Sequence, residues 1–223
     1  MSIIERDSSC EAYTRELAGA IAALLRGGDA VTLSGGLGAG KTTFTRALVA
    51  GLGGDPRQVS SPTFVVVNQY DLPGGRHSAR CVAHVDAYRL DSDAELDSLG
   101  WDRYFEGGRP RRDVIAVIEW PDRLGAERPA DALEIGIETT GLTSRRITIN
   151  VPESWESRGG VLLLAEREPA RCRVTGTWIG PMHPTYPFAD ERARDADLHR
   201  WFSGEYRISR DVTAEDIEGD PGP

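Results

Sequence analysis

The chain is almost without lysine. Among 223 residues and 26 basic side chains, Lys41 is the single lysine, and every other basic residue is an arginine. Guanine-specific switch proteins recognise their base with an Asn-Lys-x-Asp motif, which would need a lysine that this chain does not have. A guanine-specific switch is therefore disfavoured, and Lys41 has to be explained by its own surroundings.

Cysteine and long apolar runs are also scarce. Cys10, Cys81 and Cys172 are odd in number and far apart, which fits neither a disulfide framework nor the paired spacing of a zinc site. No run approaches the roughly 18 apolar residues of a membrane span. Residues 1–7 contain no apolar secretory core. We therefore expect a cytoplasmic protein with no membrane segment.

Charge and length set two further limits. The net charge is −9 and the mean hydropathy is −0.37. A chain this acidic is poorly suited to bind a nucleic-acid backbone unaided, so contact with RNA is expected mainly through a partner. The 223 residues are enough for one main domain of about 100–200 residues and an extension.

Glycine is abundant around the one lysine. The stretch Gly35-Gly36-Leu37-Gly38-Ala39-Gly40-Lys41-Thr42 has the G-x4-G-K-[ST] spacing of a phosphate-binding loop. Its glycines allow backbone N–H groups to converge on phosphate oxygens at a helix N-terminus. The Lys41 ammonium reaches between phosphate oxygens where a planar guanidinium would not fit, and the Thr42 hydroxyl is expected on Mg²⁺. The loop, with Thr43 after it, is therefore predicted to bind a nucleotide.

The pattern of elements around this loop predicts the fold class. Ser8 to Glu11 has the form of a capping box, and a helix is predicted from there to Gly27. A strand over 30–34 precedes the loop and a helix over 44–52 follows it. Further strands are predicted at 64–67, 81–85, 114–118, 133–138 and 145–150, the last two as edge strands, with a turn at 72–75 and a helix over 92–105. Residues 1–150 are thus predicted to be an α/β P-loop NTPase domain with a mostly parallel central sheet flanked by helices.

Residues 151–223 are different in character. A strand is predicted over 159–165, three prolines then interrupt the chain, and a short helix is predicted over 190–201. The last residues, about 211–223, are acidic and rich in glycine and proline, and are predicted to be disordered. This part is interpreted as a C-terminal extension of unknown fold.

Two acidic residues stand directly after predicted strands, Asp86 after 82–85 and Glu119 after 114–118. Ligands of open α/β sheets bind at the carboxyl ends of the strands, so at least one of the two is predicted to bind the Mg²⁺ that accompanies ATP. Lys41, Asp86 and Glu119 are the candidate catalytic residues, and either acid could orient the attacking water.

Three further features stay open at this point. Ser60 to Thr63 could sense the γ-phosphate as switch loops do, or form an ordinary turn. Trp120 could cover the nucleotide or belong to the core. His84 could be a packed histidine.

The motifs together resemble one family. Five segments occur in the order and spacing of the bacterial TsaE family: Leu33 to Phe44, Ser61 to Phe64, His84 to Leu90, Glu95 to Gly100 and Ile118 to Pro121. Over roughly residues 8–150 the chain resembles the ATPases of tRNA threonylcarbamoyladenosine biosynthesis.

This resemblance implies roles for single residues. Lys41 would bind phosphates, Thr42 and Glu119 would bind Mg²⁺, Asp86 would be the Walker B-like acid, Thr63 would lie in a switch-like segment and Trp120 beside the nucleotide. It also implies partners, namely the transferase that modifies adenosine 37 of tRNAs reading codons that begin with A, and the paralogous companion of that transferase. ATP hydrolysis would drive or reset that assembly.

The chain departs from the family pattern in two places. Family members commonly have an acidic residue where Gly36 stands, and they usually end near the last strand. Residues 151–223 therefore inherit no role, and Trp178, Tyr186 and Trp201 could dock a partner or pack on the main sheet.

Two other functions compete with this one. A small-molecule kinase shares the loop and closes an arginine-bearing lid, to which Arg109, Arg111 and Arg112 could belong. A nucleotide-gated binding module would hydrolyse ATP too slowly to matter and would change its partner's conformation instead.

Overall fold

Seven strands form one sheet in the computed structural model, which describes residues 2–61, 67–73, 77–90 and 100–203. In chain order they are β1 (Ser2–Ser8), β2 (Ala30–Ser34), β3 (Val67–Asp71), β4 (Cys81–Asp86), β7 (Val114–Glu119), β8 (Ala132–Thr139) and β9 (Arg145–Val151). Their spatial order is β1-β9-β8-β2-β7-β4-β3. The central strands β8, β2, β7 and β4 are parallel, while β3, β9 and β1 join antiparallel at the two flanks. The sheet is therefore mixed, with a parallel centre.

The apolar strands β4 and β7 lie inside this sheet, each between two neighbouring strands. Every residue of β4 and β7 is buried, because these strands have neighbours on both sides and covered faces above and below. Two short strands, β5 (Phe105–Glu106) and β6 (Arg109–Pro110), form a small hairpin outside the sheet. Short 3-10 turns span Pro56–Gln58, Ala87–Arg89, Trp101–Arg103, Pro121–Glu127 and Glu153–Trp155.

Two helices pack side by side against one face of the sheet. They are α1 (Glu11–Ala22) and α2 (Lys41–Gly51). A Cβ atom added to Gly51 would lie 2.7 Å from the Cβ of Ala22 and 3.2 Å from the Cα of Gly19, so small residues are needed where the helices meet. The opposite face is covered by Trp101, Phe105, Leu124 and their neighbours.

Two local predictions are wrong, one on the cap of α1 and one on the edge of the sheet. Ser8 does not cap α1, because it is the last residue of β1; the N-cap is Cys10, and it makes no side-chain capping bond. The Ser8 hydroxyl instead lies 2.7 Å from the Thr14 hydroxyl. Strands β8 and β9 are not edge strands, because β1 pairs along the whole of β9 and takes the edge position.

Several predictions fall on residues outside the described ranges. The strand predicted at 64–67 is described only from Val67, where β3 begins, and β3 pairs antiparallel with β4 as a hairpin would. Part of the predicted turn at 72–75 lies outside, as does most of the predicted helix over 92–105. The described end of that predicted helix forms the 3-10 turn and β5 instead.

The C-terminal segment contains two helices, α3 (Val161–Glu166) and α4 (Glu191–Phe202). The strand predicted at 159–165 is therefore wrong. The helix predicted at 190–201 is confirmed, and the Asp190 carboxylate caps it by accepting a bond from the N–H of Ala193. Strands β10 (Ala170–Arg171) and β11 (Trp178–Ile179) form a hairpin between these helices. Residues 204–223, and with them the predicted disordered tail, lie outside the described ranges.

Part of this segment belongs to the main core. Trp155, Val161 and Leu164 are buried in the same cluster as α1 and α2. The guanidinium of Arg158 lies 3.8 Å above the Trp155 ring and makes two bonds to the carboxylate of Asp29, at 2.6 and 2.7 Å. The Trp178 ring meets Tyr13 of α1 edge-on at 5.4 Å. Trp178 thus packs on the main fold.

Within the described residues, no helix combines the length and the apolar character needed to cross a membrane.

Trp155→Ala is expected to lower the free energy of unfolding by about 3–5 kcal/mol, because it removes a side chain that is 1% exposed and leaves a cavity. Trp201→Ala, at a position 65% exposed, is the matched control and should change stability by less than about 0.5 kcal/mol. Urea unfolding of both variants measures this. Equal, small effects would show that Trp155 is not part of the main core.

Candidate nucleotide-binding site

The glycine-rich loop joins the end of β2 to the start of α2. Gly35, Gly38 and Gly40 have φ values of 149°, 73° and 109°, which side chains strongly disfavour. At Gly35 space forbids a side chain as well, since an added Cβ would lie 2.3 Å from the carbonyl oxygen of Ile137. Helix α2 has Gly40 as its N-cap without a side-chain capping bond, so its first N–H groups face the loop without a side-chain acceptor.

Lys41 is held by its own loop. The residue is only 5% exposed, and its Nζ donates to the carbonyl oxygens of Gly35 at 2.8 Å and Gly36 at 2.9 Å. Burial lowers the pKa of the ammonium, while the carboxylates of Glu119 and Asp86 act in the opposite direction. The ammonium thus lies among acceptors at the centre of the site.

Glu119 connects the loop to the sheet. It is 3% exposed, and its Oε1 accepts bonds from the Thr42 hydroxyl at 2.9 Å and from Nε2 of His84 at 2.9 Å. In the parallel register, Glu119 lies beside Leu33 of β2 and beside Asp86 of β4. The carboxyl ends of three strands therefore bring the two predicted acids to the start of α2.

Asp86 is held from two sides. Its Oδ1 accepts from the N–H of Tyr88 at 3.1 Å, and its Oδ2 accepts from the Ser61 hydroxyl at 3.0 Å. Ser61 is the last described residue before the segment that contains Thr63, so the predicted role of Thr63 lies outside the described residues.

Trp120 closes one side of the loop. Its backbone is left-handed, with φ 59° and ψ 52°, and this turns the chain away from β7 directly after Glu119. The Lys41 Nζ lies 3.9 Å from the centre of the indole ring, and the centre of the Tyr88 ring lies 5.0 Å from the centre of the same indole. Trp120 thus lies against both the core and the lysine.

An open cleft of about 330 Å³ lies in front of these groups. It is lined by Leu37, Gly38, Gly40, Lys41, Thr42, Thr43, Ser61, Asp86, Tyr88, Arg89, Glu119 and Trp120. Of the other predicted loop residues, Gly35 and Gly36 hold Lys41 from behind, and Ala39 is buried. Tyr88 and Arg89 were not predicted as site residues, although their position next to Asp86 was a usable signal.

The arginines suggested for a kinase lid lie elsewhere. Arg109 is in the β5–β6 hairpin, and Arg111 donates to the carbonyl oxygen of Asp102 at 2.8 Å. None of Arg109, Arg111 and Arg112 lines the described cleft, whereas Arg89 does.

A second cavity of about 210 Å³ adjoins the loop on the side of β8 and β9. It is lined by Glu11, Thr14, Ala39, Gly40, Thr43, Ile137, Leu142, Thr143 and Arg145. Arg145 fixes this wall, because its Nε donates to the carbonyl oxygen of Ala39 at 2.7 Å while its Nη1 donates to Ser144 at 2.7 Å. Sequence reasoning missed Arg145, for which no motif gave a signal.

The oxygen donors of the cleft are of the kind that Mg²⁺ prefers. A hydroxyl and two carboxylates, from Thr42, Glu119 and Asp86, face it. Across the residues that the structure describes, no group of three or more His, Cys, Asp or Glu side chains could hold a metal. A Mg²⁺ held by these three oxygens would need further ligands from outside the protein.

Gly35→Ala is expected to destabilise the protein by at least about 1–3 kcal/mol, because the alanine would be strained at this φ and would clash with Ile137. Gly36→Ala is the matched control, since nothing lies within 4 Å of a Cβ built there, and it should change stability by less than about 1 kcal/mol. Thermal and urea unfolding compare the two. Similar effects of both changes would contradict the loop geometry described above.

Known proteins resemble this chain in sequence over residues 8–147 and in fold. A family model described as "Threonylcarbamoyl adenosine biosynthesis protein TsaE" matches residues 8–147. The TsaE proteins of Bacillus subtilis and Streptomyces coelicolor are 37% identical over 138 residues and 41% identical over 125 residues, covering 60% and 56% of this chain and 77% and 78% of theirs. The crystal structure of Bacillus subtilis YdiB superposes with a TM-score of 0.54 at 28% identity, over 74% of this chain and 95% of that one. The chain therefore belongs to the TsaE family of threonylcarbamoyl adenosine biosynthesis proteins.

Proposed function

We propose that this protein is a Mg²⁺-dependent P-loop ATPase that supports the N6-threonylcarbamoyladenosine modification of tRNA at position 37 by driving or resetting the transferase complex. The observation that carries the proposal is the contact of Thr42 with Glu119 directly beside Lys41, at the start of a helix without a side-chain cap. Membership of the TsaE family supports a role in threonylcarbamoyl adenosine biosynthesis.

The loop is suited to bind the phosphates of ATP. The N–H groups at the start of α2 present the positive ends of the peptide dipoles. The ammonium of Lys41 adds a positive charge at the same place. Lys41 already makes two bonds to neutral carbonyl oxygens, so phosphate oxygens would replace weaker acceptors by stronger, charged ones. Partial burial strengthens that interaction.

Mg²⁺ would be held by Thr42 and Glu119, with Asp86 as the neighbouring acid. The Thr42 hydroxyl donates to Oε1 of Glu119, so the oxygens of these two residues already point at one place. When bound, Mg²⁺ supplies positive charge that neutralises the γ-phosphoryl group as it is transferred. Asp86 lies beside Glu119 on the neighbouring strand and is fixed by Ser61 and Tyr88, and we assign to it the orientation of the attacking water.

The adenine base is proposed to occupy the second cavity. That cavity shares Gly40 and Thr43 with the phosphate cleft, and Ile137 and Leu142 give it an apolar wall suited to a base. The absence of an Asn-Lys-x-Asp motif agrees with adenine rather than guanine.

The partners proposed are the transferase and its paralogous companion. The net charge of −9 supports a protein that approaches tRNA mainly through them. A cytoplasmic location goes with this work on tRNA and remains a prediction.

Lys41→Ala is expected to abolish Mg²⁺-dependent ATP hydrolysis, because the phosphates lose their main charged donor. Lys41→Arg keeps the charge but not the compact ammonium and should also lose most of the activity. We would measure ATP turnover by the chain alone and with the transferase pair, and check by thermal unfolding that each variant is folded.

Slow turnover that rises with the pair and disappears in the Lys41 variants is the expected result. Normal ATPase activity in folded Lys41→Ala protein would refute the site. Turnover in the wild type that the pair does not change would point to the kinase and a search for phosphoryl acceptors. A response of the pair to bound ATP without turnover would point to the nucleotide-gated module.

Glu119→Ala is expected to weaken ADP binding in the presence of Mg²⁺ much more than metal-free ADP binding, since the carboxylate acts toward the metal. Loss of one metal ligand should cost on the order of tenfold or more in Mg²⁺ affinity. Glu119→Gln keeps the shape and an acceptor oxygen and is the matched variant. Equal loss with and without Mg²⁺ would make Glu119 a structural residue.

A further inference from the structure

A chain of buried hydrogen bonds runs from Glu119 into the sheet and out again at Ser60. His84 is fully buried, with Nε2 at 2.9 Å from Oε1 of Glu119 and Nδ1 at 3.3 Å from the hydroxyl of Tyr70. That hydroxyl lies 3.3 Å from the carbonyl oxygen of Ser60. We infer that His84 and Tyr70 are positioning residues that orient Glu119 and couple it to the segment at Ser60 and Ser61.

The place of His84 in the sheet argues against a merely packed side chain. It lies in β4 beside Val117 of β7 and Asn68 of β3, in a strand whose other members up to Val85 are apolar. A buried imidazole costs free energy unless both of its nitrogens are satisfied. Here Nε2 is hydrogen-bonded to Glu119 in the cleft, and Nδ1 is hydrogen-bonded to Tyr70 of β3, the strand at the edge of the sheet.

The donors and acceptors of this chain can be assigned. A carboxylate can only accept, so Nε2 of His84 carries the proton that is donated to Glu119; in the neutral tautomer that fits this contact, Nδ1 is an acceptor. The Tyr70 hydroxyl has one proton and two acceptors at the same distance, Nδ1 of His84 and the carbonyl oxygen of Ser60. It can satisfy only one of them at a time, which gives the chain two discrete arrangements.

These hydrogen bonds connect the two acids through His84, Tyr70 and Ser60, none of which lines the described cleft. Ser60 is followed by Ser61, whose hydroxyl bonds Asp86, and His84 stands two residues before Asp86 in β4. A change in the bonds of Glu119 therefore changes the hydrogen bond between His84 and Tyr70. It thereby also changes how strongly the Tyr70 hydroxyl binds the carbonyl oxygen of Ser60. This inference rests on the proposed function, in which Mg²⁺ changes the bonds of Glu119.

Three variants separate the links. His84→Asn keeps a polar group near Nδ1 but removes the donor to Glu119, whereas His84→Gln keeps an N–H near Nε2 and removes the link to Tyr70. Tyr70→Phe keeps the ring and removes only the hydroxyl. For each we would titrate ADP with and without Mg²⁺, and measure amide hydrogen exchange of residues 56–61 with and without Mg²⁺ and ADP.

In the wild type, Mg²⁺ with ADP should slow exchange in residues 56–61. His84→Asn should lower Mg²⁺-dependent ADP affinity by about 10-fold to 100-fold, as is usual for a residue that orients a metal ligand, and leave metal-free affinity within a factor of about three. His84→Gln and Tyr70→Phe should retain most of the Mg²⁺-dependent affinity but lose at least half of the slowing in residues 56–61. Exchange in the loop at residues 35–43 should slow in both as in the wild type.

The outcomes distinguish this inference from the function on which it rests. A wild type without Mg²⁺-dependent ADP binding would remove the proposed function. A wild type that binds, with Tyr70→Phe showing the full slowing in residues 56–61, would refute the coupling alone. If the histidine variants do not fold, Tyr70→Phe still decides, since its volume and ring are almost unchanged.

Discussion

The parallel register of β2, β7 and β4 is the constraint on which the site depends. It places Leu33, Glu119 and Asp86 side by side at the carboxyl ends of their strands. The glycine-rich loop and both acids therefore leave the sheet at the same end. A shift of one residue in β7 or β4 would turn the carboxylate of that strand to the opposite face of the sheet. The apolar residues of β4 and β7 fix that register because they are buried on both faces of the sheet. Packing in the middle of these strands thus positions Asp86 and Glu119 at their ends.

Burial of charged and polar side chains is the second feature that shapes the site. Lys41, Asp86, Glu119 and His84 are 5%, 6%, 3% and 0% exposed, yet each has hydrogen-bond partners within the protein. Such groups are costly to bury unless they are paired. Glu119 and His84 satisfy each other, whereas Lys41 and Asp86 are satisfied by neighbouring carbonyl, hydroxyl and N–H groups. In the function proposed above, a ligand would have to compete with these bonds, and Glu119 would respond to what the cleft holds.

The sequence predicted the centre of this fold better than its margins. The loop, the parallel strands and the two acids follow from spacing and from continuous apolar runs, which need no tertiary information. The position of β8 and β9 inside the sheet could not be predicted, because it depends on β1, whose residues carry no strong pattern. The run 161–165 was mistaken for a strand because a short apolar run fits a buried helix equally well. His84 and Arg145 gain their roles from partners more than 30 residues away.

The segments outside the family match stabilise each other. Arg6 of β1 donates to the carbonyl oxygens of Leu164, Ala165 and Arg167 at the end of α3, and so holds the start of the chain to the C-terminal segment. Arg158 pairs with Asp29 just before β2, at the end of that strand opposite the cleft. Arg6 lies beside Ile147 of β9, which pairs with Ile137 of β8. None of these residues lines the described cleft, so their contacts bear on the packing of β1, β2 and the C-terminal segment.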